Sequence, residues 1–126
     1  GIDTTGTNGS GAVVQSATAT GTGTSLTITL AAFGSVDNGA TAGFGHKANE
    51  TTTPETGWTE IHDTAISTPN SNNATEWRAD NDTTPSASWA GTVQAFGIAI
   101  EIKAAAAAGG GGAVIQGATI QGATIQ

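Results

Sequence analysis

The chain has 126 residues, a net charge of −7 against three cations, Lys47, Arg78 and Lys103, nineteen glycines, and neither cysteine nor methionine. That balance repels a phosphate backbone and argues against nucleic-acid binding. The missing cysteines exclude a disulfide framework and thiolate metal sites, and no apolar run approaches the roughly 20 residues of a membrane helix. What remains is one modest core, rich in Thr, Ser and β-branched residues, which reads as all-β. Gly1 in place of Met points to a mature or trimmed product.

Residues 1–11 (GIDTTGTNGSG) have little to bury and read as an extended arm or linker. Strand signals begin with Ala12 to Thr20. After Gly21-Thr22-Gly23, the segment Thr24 to Phe33 alternates cleanly, with Leu26, Ile28 and Leu30 facing in and Thr27 and Thr29 facing out. Asp37-Asn38-Gly39 is a turn, because Asn and Gly tolerate positive φ. Ala40 to Lys47 follows as a strand anchored by Phe44. The polar run Asn49 to Gly57 is a loop, and Trp58 to Ala65 is a strand with Ile61 opposite Trp58. After a loop at Ser67 to Asn72, a strand surrounds Trp77 from Asn73 to Ala79. Asp80 to Pro85 turns the chain, Ser86 to Ala90 brings in Trp89, and Gly91 to Lys103 is a central strand where Phe96, Ile98, Ile100 and Ile102 alternate with small or charged neighbours. Short strands with turns between them and no helical period predict an antiparallel two-sheet sandwich over 12–103.

Residues 104–112 (AAAAAGGGG) form a linker that packs nothing, since five alanines ending in four glycines cannot nucleate a helix. They lead to the tail, residues 113–126, AVIQGATIQGATIQ. As a strand it places Ile115 and Ile125 on one face and Val114 and Ile120 on the other. Burial of these four cannot by itself offset the entropy of ordering the segment. A waiting sheet edge adds the missing backbone hydrogen bonds, so the expected partner is another copy of the protein. Two other readings compete: a pentapeptide-repeat coil, for which three short repeats are too few, and a frayed terminus.

The segments GIDTTG, GTSLTITLAAFGS, GWTEIHD, EWRADNDTTPSASWAG and AFGIAIEIK resemble a jelly-roll-type domain of uncharacterised extracellular, phage-associated and environmental bacterial proteins, over residues 1–103. In that family further strands often precede the GIDTT-like segment. The resemblance therefore implies a sandwich that lacks a strand of its own, and a likeness to fibrils built from β-sandwich subunits joined by donated strands and decorated with sugar. It implies an extracellular location and speaks to architecture more than to activity.

Other constellations are weaker. Sequons stand at Asn8, Asn49, Asn73 and Asn81; each permits a glycan where the loop is exposed, with Asn49 and Asn81 foremost. Trp58, Trp77 and Trp89 could stack on sugar rings, although in a small sandwich such residues more often plug the core. Asp80-Asn81-Asp82 near Glu76 offers oxygen ligands without an EF-hand spacing, and such clusters are common turn formers. His46 and His62, with Asp63 or Glu60, lack the local context of a catalytic triad. No cofactor motif and no enzyme active site emerges. The expected function is a structural subunit of an extracellular filament, a homopolymer that can carry covalent glycans. The alternative is a carbohydrate-binding or adhesin module of a surface or phage fibre.

Overall fold

The computed structural model describes residues 11–105; the expected arm up to residue 10 and the tail at 113–126 lie outside them. Among the described residues there is no helix. Six strands occur: β1 (Val13–Thr27), β2 (Gly39–His46), β3 (Thr53–Pro54), β4 (Thr59–Ser67), β5 (Asn70–Arg78) and β6 (Ser86–Ile102). All pair antiparallel in one sheet of order β1-β6-β2-β5-β4, and the short β3 pairs with the start of β6. The fold is therefore all-β and antiparallel. The expected strands at Ser86 to Ala90 and Gly91 to Lys103 are one continuous strand, because Gly91 is absorbed without a turn.

Two long strands organise the molecule. β1 and β6 pair from Val13–Ile102 to Thr27–Ser86, with irregularities at Val13/Gln15 and Gly23/Ser25. The second coincides with a bend. Leu26 follows Gly21 by five residues, about 16 Å along a straight strand, yet its Cδ1 lies 3.4 Å from where a Cβ on Gly21 would sit. The segment after the bend stays extended: the Ile28 and Leu30 N–H groups donate to the Pro85 and Thr83 carbonyls. This arm folds back over the sheet, and Leu26, Ile28 and Leu30 are buried in the alternation the sequence predicts. They meet Phe44, Trp58, Trp89 and alanines of β2 and β6 in one core.

That returning arm decides which way β6 faces. The strand is central as expected, but its large side chains do not enter the core. Ala95, Ala99 and the buried Glu101 point inward, whereas Phe96 and Ile98 remain 59% and 50% exposed. The inner face has no room for more: a Cβ on Gly97 would lie 2.8 Å from Ile28 Cδ1 and 3.1 Å from Phe44 Cδ1. On the outer face, the Phe96 ring lies across β2, where a Cβ on Gly45 would meet it at 2.5 Å. Glycine at Gly45 makes a seat for the ring, and small residues at 95, 97 and 99 admit the arm.

The turn before β2 works differently from the expectation. No non-glycine residue among those described has positive φ, and Asn38 is buried. Its N–H donates to the Ser35 carbonyl. Its side-chain amide donates to Glu101 Oε1, and its Oδ1 accepts from the Ala104 N–H. Asn38 is thus a cross-link to the end of β6.

Candidate functional site

The sheet ends in two edges of opposite character. β4 carries Glu60, His62 and Asp63, with an irregularity between Glu60 and His62 in its pairing with β5. Charges and bulges of this kind discourage further strand pairing. β1 is its reverse: fifteen residues, VVQSATATGTGTSLT, without one charged side chain. Nine consecutive residues, Gln15 to Gly23, keep regular register with β6. One rim of this strand has no strand neighbour among the described residues. Its N–H and C=O groups form a ready template for another strand.

β1 is held in place by a polar clasp. Burial pushes the Glu101 carboxyl up, but bonds from Asn38, Gln15 and the Gly34 N–H outweigh it and hold the group below its ordinary value of 4.5. Gln15 Nε2 donates to Glu101 Oε2 at 2.7 Å, and the Gly34 N–H donates to Oε1 at 2.8 Å. The Gln15 side chain also brackets Ala31, donating to its carbonyl at 3.0 Å and accepting from its N–H at 2.9 Å. With Ala17 and Ala19 only packed against the rim of the core, the first half of β1 owes its position largely to this clasp and to the ladder, while Leu26 anchors its end in the core.

Next to the free rim lies the open face of the sheet. Cross-strand register sets Phe96 and Ile98 of β6 beside Gly45 and Gly43 of β2, and these beside Asn73 and Thr75 of β5. Trp77 sits on the same face, 39% exposed, and Ile66 of β4 is 46% exposed. A groove of about 620 Å³ crosses one end, between Thr20, Lys47, Ile66, Asn73, Gln94 and Phe96 among others. Phe96, Ile98, Trp77 and Ile66 thus leave apolar groups exposed among the polar residues of this face. Sequence reasoning missed it because alternation in β6 shows that one face is apolar, not which one is inside. The pairing of Phe96 and Ile98 with Gly45 and Gly43 was the available signal.

Of the residues singled out in the sequence, Val114, Ile115, Ile120, Ile125 and Asn8 lie outside the described residues. Trp58 and Trp89 are buried. Their indole N–H groups donate to Asp82 Oδ2 at 3.1 Å and to the Gly23 carbonyl at 2.9 Å. The three tryptophans therefore form no common platform, and Trp77 alone presents its ring to solvent. Asn49, Asn73 and Asn81 are all exposed, Asn49 and Asn81 in loops and Asn73 within β5. Asp80 and Asp82 clasp Arg78, and Asp82 Oδ1 accepts from the Thr84 N–H, an arrangement that shapes the turn.

The two histidines are separated. His62 is exposed and bonded to Thr64. His46 is buried, stacks on Trp89 with ring centroids 4.6 Å apart, and bonds through Nε2 to Thr52 Oγ1. Thr52 passes the chain to Asn72, whose amide donates to Asp63. Burial lowers the His46 pKa below 6.5 despite the nearby Glu50 and Asp63 carboxylates. A neutral imidazole thus serves as a strut between strands.

Glu76 is the strained group. It is buried opposite Glu60, and Oε1 has no hydrogen-bond partner among the described residues. Burial, then the charges of Glu55, Asp82 and Glu60, push its pKa up from 4.5 to about 8. The folded protein therefore holds a proton that the unfolded chain releases, and stability falls as pH rises from 4.5 towards about 8. At about 1.4 kcal/mol per unit, the loss reaches roughly 3 kcal/mol at pH 7. Glu76→Gln is expected to be more stable than the parent by about 2–3 kcal/mol at pH 7 and equal to it near pH 4. Urea unfolding of both proteins across that range checks this.

Comparison with protein families, with curated proteins and with solved structures gave no match to this chain.

Proposed function

We propose that the protein is a structural subunit of an extracellular helical filament, assembled when a terminal strand of one copy is added to or inserted in the sheet of the next. The observation that carries this reading is the fifteen-residue, charge-free edge strand β1 bordering an open apolar face with Phe96 and Ile98 exposed. Natural sheets guard such edges, as β4 is guarded here, whereas β1, with one rim that has no strand neighbour among the described residues, carries no such guard. In this reading the finished domain is a jelly-roll-like sandwich whose missing cover comes from a neighbour, and glycans at the exposed loop residues Asn49 and Asn81 keep other strands away. A head-to-tail contact of this kind is heterologous, and unless its rotation closes it propagates as an open helix.

Deletion of 113–126 tests the reading. The shortened chain is expected to stay folded and run as a single subunit in light scattering, where the full chain forms large assemblies. Assembly unchanged by the deletion would overturn it. A second reading, a glycan-binding module, rests on the groove that Phe96, Asn73 and Gln94 line together. The same shortened chain decides between them, since only a glycan-binding module retains a sugar ligand once assembly is gone.

A further inference from the structure

The tail of the chain repeats the beginning of β1. Residues 12–18 read AVVQSAT and residues 113–119 read AVIQGAT, identical at five of seven positions, with Val14 against Ile115 and Ser16 against Gly117 as close replacements. In β1 this sequence has known tasks. Gln15 forms the clasp on Glu101 and Ala31. Ala17 and Ala19 face the rim of the core, while Ser16 and Thr18 are exposed on the open face. Paired as a strand, a second stretch with the same order of residue types would offer the same two faces.

We propose that residues 113–120 of one molecule add to the free rim of β1 in another as a parallel strand, in register with residues 12–19. The proposal rests on the donated-strand reading and names its partner and register. A parallel arrangement sets like residues side by side: Gln116 beside Gln15, where amides can form a ladder, Ala118 beside Ala17, and Thr119 beside Thr18. The register five residues on repeats these pairs with Gln121, Ala123 and Thr124 but matches residues 12–18 at four positions where this one matches five. The antiparallel arrangement centred on Ala17 and Ala118 sets Gln15 beside Ile120 and Ser16 beside Thr119, so amide and branched apolar groups meet instead. At the next position Ile120 falls beside Ala19, on the inner face. Ala19 packs against the core cluster but covers it only in part, and a branched side chain one strand further out extends that cover. The linker is long enough. Ten residues separate Ile102 from Ala113, which spans roughly 35–40 Å when extended.

The protein has no cysteine, so introduced pairs report without background. Disulfides need Cα atoms about 4.4–6.8 Å apart, which adjacent strands satisfy and strands two apart do not. Full-length chains carrying one cysteine each are mixed and oxidised: Ser16→Cys or Thr18→Cys on one, Gly117→Cys or Thr119→Cys on the other. The expected result is disulfide dimers for the pairs 16/117 and 18/119, at least tenfold more abundant than for 16/119 and 18/117. Dimers in the crossed pairs instead would overturn the parallel register while leaving donated-strand assembly standing. An Ile98→Cys chain joined to Thr119→Cys would overturn the site, because it places the tail against β6 in the position of β1. If the pair 18/119 forms only when both cysteines are in one chain, and the product is a monomer, both the proposal and the filament reading fall.

Discussion

Ala19→Lys is expected to raise the concentration needed for assembly by about 100-fold or more and to leave the subunit folded. Ala19 is on the inner face of β1, partly buried against the core and opposite Gly97. A lysine there can lay its methylenes along the core and carry its ammonium past the bare rim into water. Once another strand covers that rim the exit is closed, and an unpaired ammonium is left buried at a cost of several kcal/mol. Natural edge strands use an inward lysine in this way to refuse partners. The expected loss is about 3 kcal/mol per contact or more, a rise of roughly 100-fold or more in the concentration needed for assembly. The cost to the isolated fold stays near 1 kcal/mol. Thr64→Lys, on the exposed edge strand β4, adds the same charge and is expected to assemble normally. Sedimentation of both variants against the parent gives the comparison. Pelleting of Ala19→Lys at the parent concentration would show that β1 is not the docking edge.

The second large effect belongs to Glu101. Its carboxylate accepts from Asn38, Gln15 and the Gly34 N–H and has no cationic partner among the described residues. In Glu101→Gln one oxygen becomes an NH₂ group pointed at donors, so charge-assisted bonds are lost and a donor meets a donor. The expected destabilisation is about 2–4 kcal/mol at pH 7. The sign of its pH dependence is fixed by the lowered pKa. The stabilisation is complete above the ordinary value of 4.5 and disappears as pH falls through the lower folded value. The gap between parent and variant therefore narrows in acid, as it does for Glu76→Gln, but with the opposite sign: at pH 7 the parent is the more stable protein here and the less stable one there. Equal stability of Glu101→Gln and parent at pH 7 would mean that the clasp does not hold β1.

Much of this fold is legible in local patterns. Leu26, Ile28 and Leu30 alternate with threonines and are buried as the alternation predicts. The turn at Asp80 to Pro85 falls between strands, whereas β3 lies inside the expected loop Asn49 to Gly57 and β5 already begins at Asn70 within the expected loop Ser67 to Asn72. The all-β class follows from β-branched residues without a helical period. What escapes is whatever depends on a distant partner. The outward turn of Phe96 and Ile98 is decided by the Leu26–Leu30 arm, which fills the space over Gly97, and nothing in β6 itself announces that arm. Asn38 reads as a turn former because its bond to Glu101 spans 63 residues. Glu76 looks like one more surface acid until the pairing with β4 sets it opposite Glu60 and out of water. The apolar tail is conspicuous in the sequence, but the edge proposed to receive it is not. β1 looks bland residue by residue, and its lack of charge becomes informative only once the sheet order places it at an edge. The likeness of residues 12–18 to 113–119 needed only a comparison of the chain with itself.

Electron microscopy of the purified full-length protein tests the central claim most directly. The account predicts unbranched filaments of uniform width with a helical repeat. A field of isolated particles, each with the mass of one chain, would contradict it.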